Sequence, residues 1–199
     1  LSATFSPDAI NGLTVDAGDM IGDLHGTPEY RAHLVGVMTK RAVAAAGCPH
    51  VILRTSWVVS AHGANFVKTM LRLGQTRDAL SIVGDQFGGP TYAGDIANAL
   101  IQISKRINQG DAVEYGVYHY SGLPHVSWFD FADAIFDVAI EQGVLEKKPS
   151  LTSITTDQYP TPAKRPSNSR LSTEKITLGF SVQASDWKAA LSNIQAYTE

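Results

Sequence analysis

Four short stretches carry side chains whose types and spacing suit binding of a polar, phosphorylated small molecule. Arg54-Thr55-Ser56-Trp57 ends an apolar run that begins at His50. A tryptophan placed there offers a sugar or base a flat ring and one N–H donor, or else closes the top of the core. Asn65 stands directly before an apolar-periodic segment and reads first as a helix N-cap, second as a ligand contact. Asp85-Gln86-Phe87-Gly88-Gly89-Pro90-Thr91 reads as a tight surface turn; its functional alternative is a loop whose Gln86 amide and backbone reach a nucleotide. Lys164-Arg165-Pro166-Ser167-Asn168-Ser169-Arg170 is a short basic loop. Such a run is commonly just solvated, but arginine also suits two-pronged contact with a diphosphate.

Other chemistries lack their residues. The six histidines are scattered with no His-Glu-x-x-His, and Cys48 is the single cysteine, so neither a zinc site nor an internal disulfide is expected. Cys48 reads as a small buried apolar residue. There is no Gly-x-Ser-x-Gly elbow for a hydrolase and no Gly-x-x-x-x-Gly-Lys-Ser/Thr loop for phosphoryl transfer.

The elements that must position these residues follow from periodicity. Leu34, Val37, Met38, Arg41 and Ala45 fall at helical spacing, and Gly47 and Pro49 stop them. The run 50–55 predicts a short buried strand of a parallel sheet. Phe66 to Leu73 is helical and ended by Gly74, Ala79 to Val83 is a second strand, and Val117 to Tyr120 a third. Between the latter two, Ile96, Leu100, Ile103 and Ile107 mark one face of a helix with Asp95 as its cap. Ser127 and Asp130 form a capping box ahead of a helix carrying Phe131, Ile135 and Val138, closed by Gly143. Leu151 to Thr155 is extended, Tyr159 to Pro166 is a proline-bound loop, and Trp187, Leu191 and Ile194 mark a last helix capped by Ser185. Strands alternating with helices imply an α/β fold with a mainly parallel sheet. The first 28 residues, with Gly12, Gly18, Gly22, Gly26, Pro7 and Pro28, show neither period, and their glycine spacing is not the dinucleotide-binding fingerprint.

Length and composition bound the partners. The 199 residues (21.4 kDa) are 44% hydrophobic and 18% charged, enough apolar material for a core and against wholesale disorder. A net charge of −3 gives no basic face for nucleic acid, and no apolar run approaches the ~20 residues of a membrane helix. Neither nucleic acid nor a membrane is therefore expected as a partner. The N-terminus lacks the basic and apolar regions of a signal peptide, which points to the cytoplasm.

Several runs together resemble the dTDP-4-dehydrorhamnose reductase family of extended short-chain dehydrogenase/reductases. They are Val51-Ile52-Leu53-Arg54-Thr55-Ser56-Trp57-Val58, Asn65-Phe66-Val67-Lys68-Thr69-Met70-Leu71, Val83 to Thr91, Gly116-Val117-Tyr118-His119, Ser127-Trp128-Phe129-Asp130-Phe131-Ala132 and Arg165 to Leu171, matching in order and spacing from about Arg41 to the C-terminus. The resemblance implies the C-terminal part of a Rossmann-like parallel sheet with a small substrate-binding lobe. It divides the chain into an unmatched segment, 1–40, and a sugar-nucleotide-binding portion, 41–199. It further implies NADPH-dependent reduction of dTDP-4-dehydro-L-rhamnose to dTDP-L-rhamnose, a dTDP-sugar as ligand, and Trp57, Gln86 and Arg165 as substrate-binding residues.

The chain departs from that family in its cofactor and catalytic residues. The glycine-rich fingerprint for NADPH is absent, and in register Ala32 and Gly36 stand where the catalytic Tyr-x-x-x-Lys belongs. Tyr30 is two residues off and is followed four residues later by Leu34. In that chemistry the tyrosine gives a proton to the developing alkoxide, and the lysine lowers its pKa and holds the cofactor ribose. Val59 also replaces an expected tyrosine. The expectation is thus an incomplete, inactive portion of a reductase, partnered by a missing N-terminal half or a second copy. Its rivals are a nucleotide-sugar epimerase or dehydratase, a non-catalytic subunit similar to the regulatory subunit of methionine adenosyltransferase, and a non-functional remnant.

Overall fold

The computed structural model describes residues 16, 34, 35, 37–39, 41, 42, 49–161 and 165–198. The chain divides into two compact units, Leu1–Val51 and Ile52–Glu199. In the first, the described residues between 34 and 42 are helical, and the Thr39 hydroxyl donates to the Val35 carbonyl at 2.7 Å. Leu34 and Val37 are half-buried, whereas Met38 and Arg41 are exposed, a narrower covered face than the spacing implies. Ala45, Gly47, Cys48, Tyr30, Ala32, Gly36 and the early glycines lie outside the described residues.

The second unit runs β1 (Val51–Thr55, starting one residue before it), β2 (Val58–Val59), α1 (Phe66–Gly74), β3 (Ala79–Val83), β4 (Phe87–Gly88) and β5 (Thr91–Tyr92). It continues through α2 (Ala93–Asn108), β6 (Gly116–Tyr120), β7 (Val126–Ser127), α3 (Trp128–Glu141), β8 (Ser150–Ile154), α4 (Glu174–Phe180) and α5 (Trp187–Leu191). Short 3₁₀ turns cover Thr156–Gln158 and Ile194–Tyr197. The strands form four two-stranded ladders. β3 and β8 pair in parallel from Ala79 opposite Ser150 to Val83 opposite Ile154, β2 and β5 pair in parallel, β4 and β7 pair antiparallel, and β1 neighbours β6.

Helix α3 organises the core. Its Phe131, Ala132, Ile135, Phe136 and Ala139 are fully buried and meet Val67, Met70 and Leu71 of α1, Ile82 of β3, and Trp187, Leu191 and Ile194 from the C-terminus. The helix begins as its sequence dictates. The Ser127 Oγ accepts from the Asp130 N–H at 3.0 Å while Asp130 takes the Ser127 N–H at 3.2 Å, and Gly143, at φ +67°, lies just past its end. Asn65 caps α1 through the Lys68 N–H and also donates its amide to the Ser60 carbonyl at 2.6 Å.

Three expectations are corrected. β1 is not a buried strand: Ile52 is 41% exposed and Arg54 and Thr55 are exposed. A strand is buried on both faces only when layers cover both, and here β6 is its one neighbour among the described residues. Asp95 does not cap α2, which starts after Tyr92 with Asp95 inside its first turn, where it accepts the Ser185 hydroxyl at 2.6 Å. Ser185 is thereby used, and Asp186 caps α5 by accepting from the Ala189 N–H; Ile194 falls in the following 3₁₀ turn. No helix of the described residues is long and apolar enough to cross a membrane.

Candidate functional site

Three of the four stretches singled out by residue type converge, while Asn65 is spent on capping α1 and Lys164 lies outside the described residues. After β1 the chain turns sharply at Trp57, which holds φ +50°, a conformation that costs a non-glycine residue of order 1–3 kcal/mol and is kept only where surroundings enforce it. Two contacts enforce it here. The Trp57 carbonyl accepts from the Thr91 N–H at 3.0 Å, and the indole lies flat on Trp128, ring centroids 3.5 Å apart and planes 7° from parallel. Trp128 in turn meets Phe66 at 4.6 Å, Phe66 meets Phe131 at 5.7 Å, and Phe131 meets Trp187 edge-on at 5.3 Å. A continuous line of rings thus runs from half-buried Trp57 into the middle of the core, so this tryptophan is anchored to the core without being enclosed by it.

The segment 85–91 is not a surface turn. Asp85 is exposed, but Gln86 and Gly88 to Thr91 are buried, and the chain passes inward under Trp57. A Cβ at Gly88 would sit 2.4 Å from Trp57 Cε2, and one at Gly122 would sit 1.7 Å from the Pro90 carbonyl oxygen, so only glycine lets these backbones approach. The Thr91 hydroxyl donates to the Gly89 carbonyl and accepts the Gly122 N–H, which closes the layer beneath.

The basic loop is stitched onto the same segment. The Phe87 N–H donates to the Ser167 carbonyl at 2.9 Å, the Ser169 N–H donates back to the Phe87 carbonyl at 2.7 Å, and the Ser56 hydroxyl reaches the Ser169 carbonyl at 3.5 Å. Arg170 spreads over the Phe87 ring at 4.5 Å, a cation–π contact that keeps its guanidinium beside the site. Arg165 is exposed at the start of this run. Gln86, only 6% exposed, donates its amide to the Thr156 hydroxyl at 3.1 Å.

Trp57, Phe87, Trp128 and Ser167 to Arg170 therefore form one surface, aromatic at its base and cationic at one side. Sequence reasoning assigned no role to Trp128 or His125. His125 presses against Gly89, and its Nε2 is buried with no hydrogen-bond partner; burial and then the Arg170 charge hold its pKa below the ordinary histidine value. Pairing Trp57 with Trp128 requires the tertiary fold, and no local signal announces it.

Tyr120 and Tyr197 are buried near Asp95, and their phenols are pushed up to about 12, mainly by burial. A reductase's tyrosine acid is shifted the other way by its lysine. Nor do the described residues fit a dinucleotide. Its pyrophosphate needs a helix N-terminus with free N–H groups. Asn65 and the Ser127–Asp130 box already cap α1 and α3, and α2, which has no side-chain cap, carries the Asp95 carboxylate in its first turn. Among the described residues no cluster of His, Cys, Asp or Glu could hold a metal ion.

The model of the RmlD substrate binding domain matches residues 37–198, which takes in every group of this surface. The chain belongs to that family. It is 58% identical over 149 residues to a dTDP-4-dehydrorhamnose reductase of Aggregatibacter actinomycetemcomitans, covering 75% of this chain and 51% of that protein. The crystal structure of a dTDP-4-dehydrorhamnose reductase from Clostridium acetobutylicum superimposes with a TM-score of 0.67 at 30% identity, covering 92% of this chain and 59% of that one. The Bacillus anthracis reductase, solved in complex with NADP, gives 0.64 at 32% identity, covering 85% and 55%. This RmlD-family chain spans about half the length of the curated relatives it matches. Its α/β fold is that of the C-terminal part of Rossmann-like reductases, as the sequence resemblance implies.

Proposed function

We propose that this chain is the sugar-nucleotide side of a dTDP-4-dehydrorhamnose reductase and does not by itself carry out the reduction. The observation that carries the reading is the convergence of Trp57, stacked on Trp128, with the Ser167–Arg170 strip held on Phe87. An aromatic base beside the exposed Arg170 guanidinium suits a nucleoside diphosphate joined to a sugar. Trp57 offers its ring edge and indole N–H, because one ring face is taken by Trp128. Arg165 supplies charge for the diphosphate. Gln86 is turned toward Thr156 and acts on the ligand through the backbone it holds.

NADPH would enter through a nucleotide-binding half outside residues 41–199, and no step of the reduction is assigned to residues described here. Apolar surface supports the need for such a half: Ile52 on β1, Leu100 (49% exposed) and Ile101 (51% exposed) on α2, and Val117 on β6. The epimerase, dehydratase and partner-subunit readings gain no specific observation. The test is a spectrophotometric assay of the purified chain with NADPH and dTDP-4-dehydro-L-rhamnose. No NADPH oxidation is expected above background, and sustained turnover would overturn the proposal.

A further inference from the structure

Both faces of the Trp57 indole are covered. Trp128 lies on one, with centroids 3.5 Å apart and planes 7° from parallel. Gly88 lies on the other. A Cβ at Gly88 would be 2.4 Å from Trp57 Cε2, 2.7 Å from Nε1 and 2.9 Å from Cδ2. A point so close to three adjacent ring atoms, two of them at the ring fusion, stands over the ring and not beside its rim. It stands on the side away from Trp128, because on the near side Trp128 atoms would be its closest neighbours, and they are not. The Gly88 backbone therefore blocks the middle of the second face, and no base or sugar ring can stack squarely on Trp57. What this half-buried side chain offers a ligand is its rim. On that rim the Nε1–H meets no acceptor among the described residues. It is not shut in either: the buried side-chain nitrogens and oxygens without a partner there are His125 Nε2 and the Tyr197 hydroxyl. Trp57 thus carries an open, unspent donor.

We infer that Trp128 is a positioning residue that holds Trp57 edge-on, so that the indole N–H and not the ring face reads an oxygen acceptor of the ligand. The inference rests on the sugar-nucleotide reading above. Trp128 is the first residue of α3, directly after the Ser127–Asp130 box, and Phe66 packs against it at 4.6 Å. The ring that backs Trp57 is thus fixed by a capped helix start and by the core. Gly88 brings only a hydrogen to its side of the indole, too small a contact to fix the side-chain torsions. Without a flat ring at position 128, the N–H is aimed at its acceptor only part of the time, and apparent affinity falls by that fraction. A donor held in one direction also discriminates, since a ligand without the acceptor leaves it unpaired.

The experiment is calorimetric titration of the full 199-residue chain with dTDP-L-rhamnose and with dTDP. The variants are Trp57→Phe, Trp57→Ala, Trp128→Phe and Trp128→Leu, with the core variant Ile135→Val as a control for general loosening, each checked by thermal melting. Trp57→Phe keeps a ring and loses the N–H, and should weaken dTDP-L-rhamnose binding about tenfold, the worth of one hydrogen bond. Trp128→Leu should weaken it by a similar factor, about tenfold, while Trp128→Phe, which keeps a flat ring, stays within about twofold of wild type. Ile135→Val should melt lower and bind like wild type. The Trp57→Phe/Trp128→Leu double variant should bind no more weakly than Trp57→Phe alone, because both changes remove the same aimed donor. A Trp57→Phe loss seen with dTDP as well assigns the acceptor to the diphosphate, and one confined to dTDP-L-rhamnose assigns it to the sugar; either supports the inference. If Trp57→Ala abolishes binding while Trp57→Phe or Trp128→Leu binds like wild type, the inference is overturned and the sugar-nucleotide reading stands. Equal losses in Trp128→Phe and Trp128→Leu, or losses that multiply in the double variant, overturn it as well. Trp57→Phe tests the donor by itself should Trp128→Leu not fold. If wild type binds neither ligand, the sugar-nucleotide reading itself fails.

Discussion

The two longest strand pairs of the molecule are treated very differently by the rest of the chain. β3 and β8 run parallel in full five-residue register, and α3 lies across them with an inner face that excludes solvent completely. β1 and β6 are of the same length, yet Ile52 and Val117 are partly exposed, as are Leu100 and Ile101 on α2. The first region is complete within this chain. The second leaves apolar side chains partly open to water, where each gains only part of the ~1.5–3 kcal/mol that full burial of such a group yields. Trp57 stands at the border between them, at the end of the open strand but tied by rings to the closed core. A candidate surface at that border takes its rigidity from the closed side.

Truncation of one residue in each region gives the sharpest contrast. Phe131→Ala, at a site with no solvent exposure, should lose about 3–5 kcal/mol of stability in urea unfolding. Ile52→Ala should change it by no more than about 0.5 kcal/mol. Equal losses would break the comparison. Gly88→Ala should come next, because the new Cβ must displace the Trp57 ring from Trp128. A cost of about 1–3 kcal/mol is expected, with loss of the near-ultraviolet dichroism of the stacked indoles. Ser127→Ala removes the α3 cap at the edge of the closed region and should cost about 1 kcal/mol. The smallest effect belongs to Asp85 and is read by pH. Hydrogen bonds from the Thr156 N–H and hydroxyl hold its folded pKa below that of the unfolded chain, so its contribution is complete above the ordinary aspartate value of about 3.9. That contribution fades below this value and is lost as pH falls through the folded one. Wild type should therefore lose slightly more stability on acidification than Asp85→Ala.

Legibility in the sequence followed the range of the interaction. β3 was readable to the residue and the Ser127–Asp130 capping box was plain, because periodicity and caps are local. Asp95 and Ser185 each resembled a cap, and each is instead used by the other from a distant part of the chain. β1 looked buried because Val51 to Leu53 are apolar, but side-chain chemistry states only what a strand would bury and not whether a layer exists to cover it. The candidate residues Trp57, Gln86 and the basic loop were individually visible. Their common attachment to residues 85–88 was not, since it depends on backbone hydrogen bonds that leave no mark on residue type. The inward course of 85–91 was missed for a related reason: glycines that permit a turn also permit close backbone approach, and spacing does not separate the two uses.

The central claim is that the sugar-nucleotide surface is present in this chain while the cofactor surface is not. Isothermal titration of the purified chain with dTDP-L-rhamnose and, separately, with NADPH tests both halves at once. The account predicts saturable binding of dTDP-L-rhamnose that Trp57→Ala abolishes, and no binding heat with NADPH. Tight NADPH binding, or wild-type affinity for dTDP-L-rhamnose in Trp57→Ala, would contradict it.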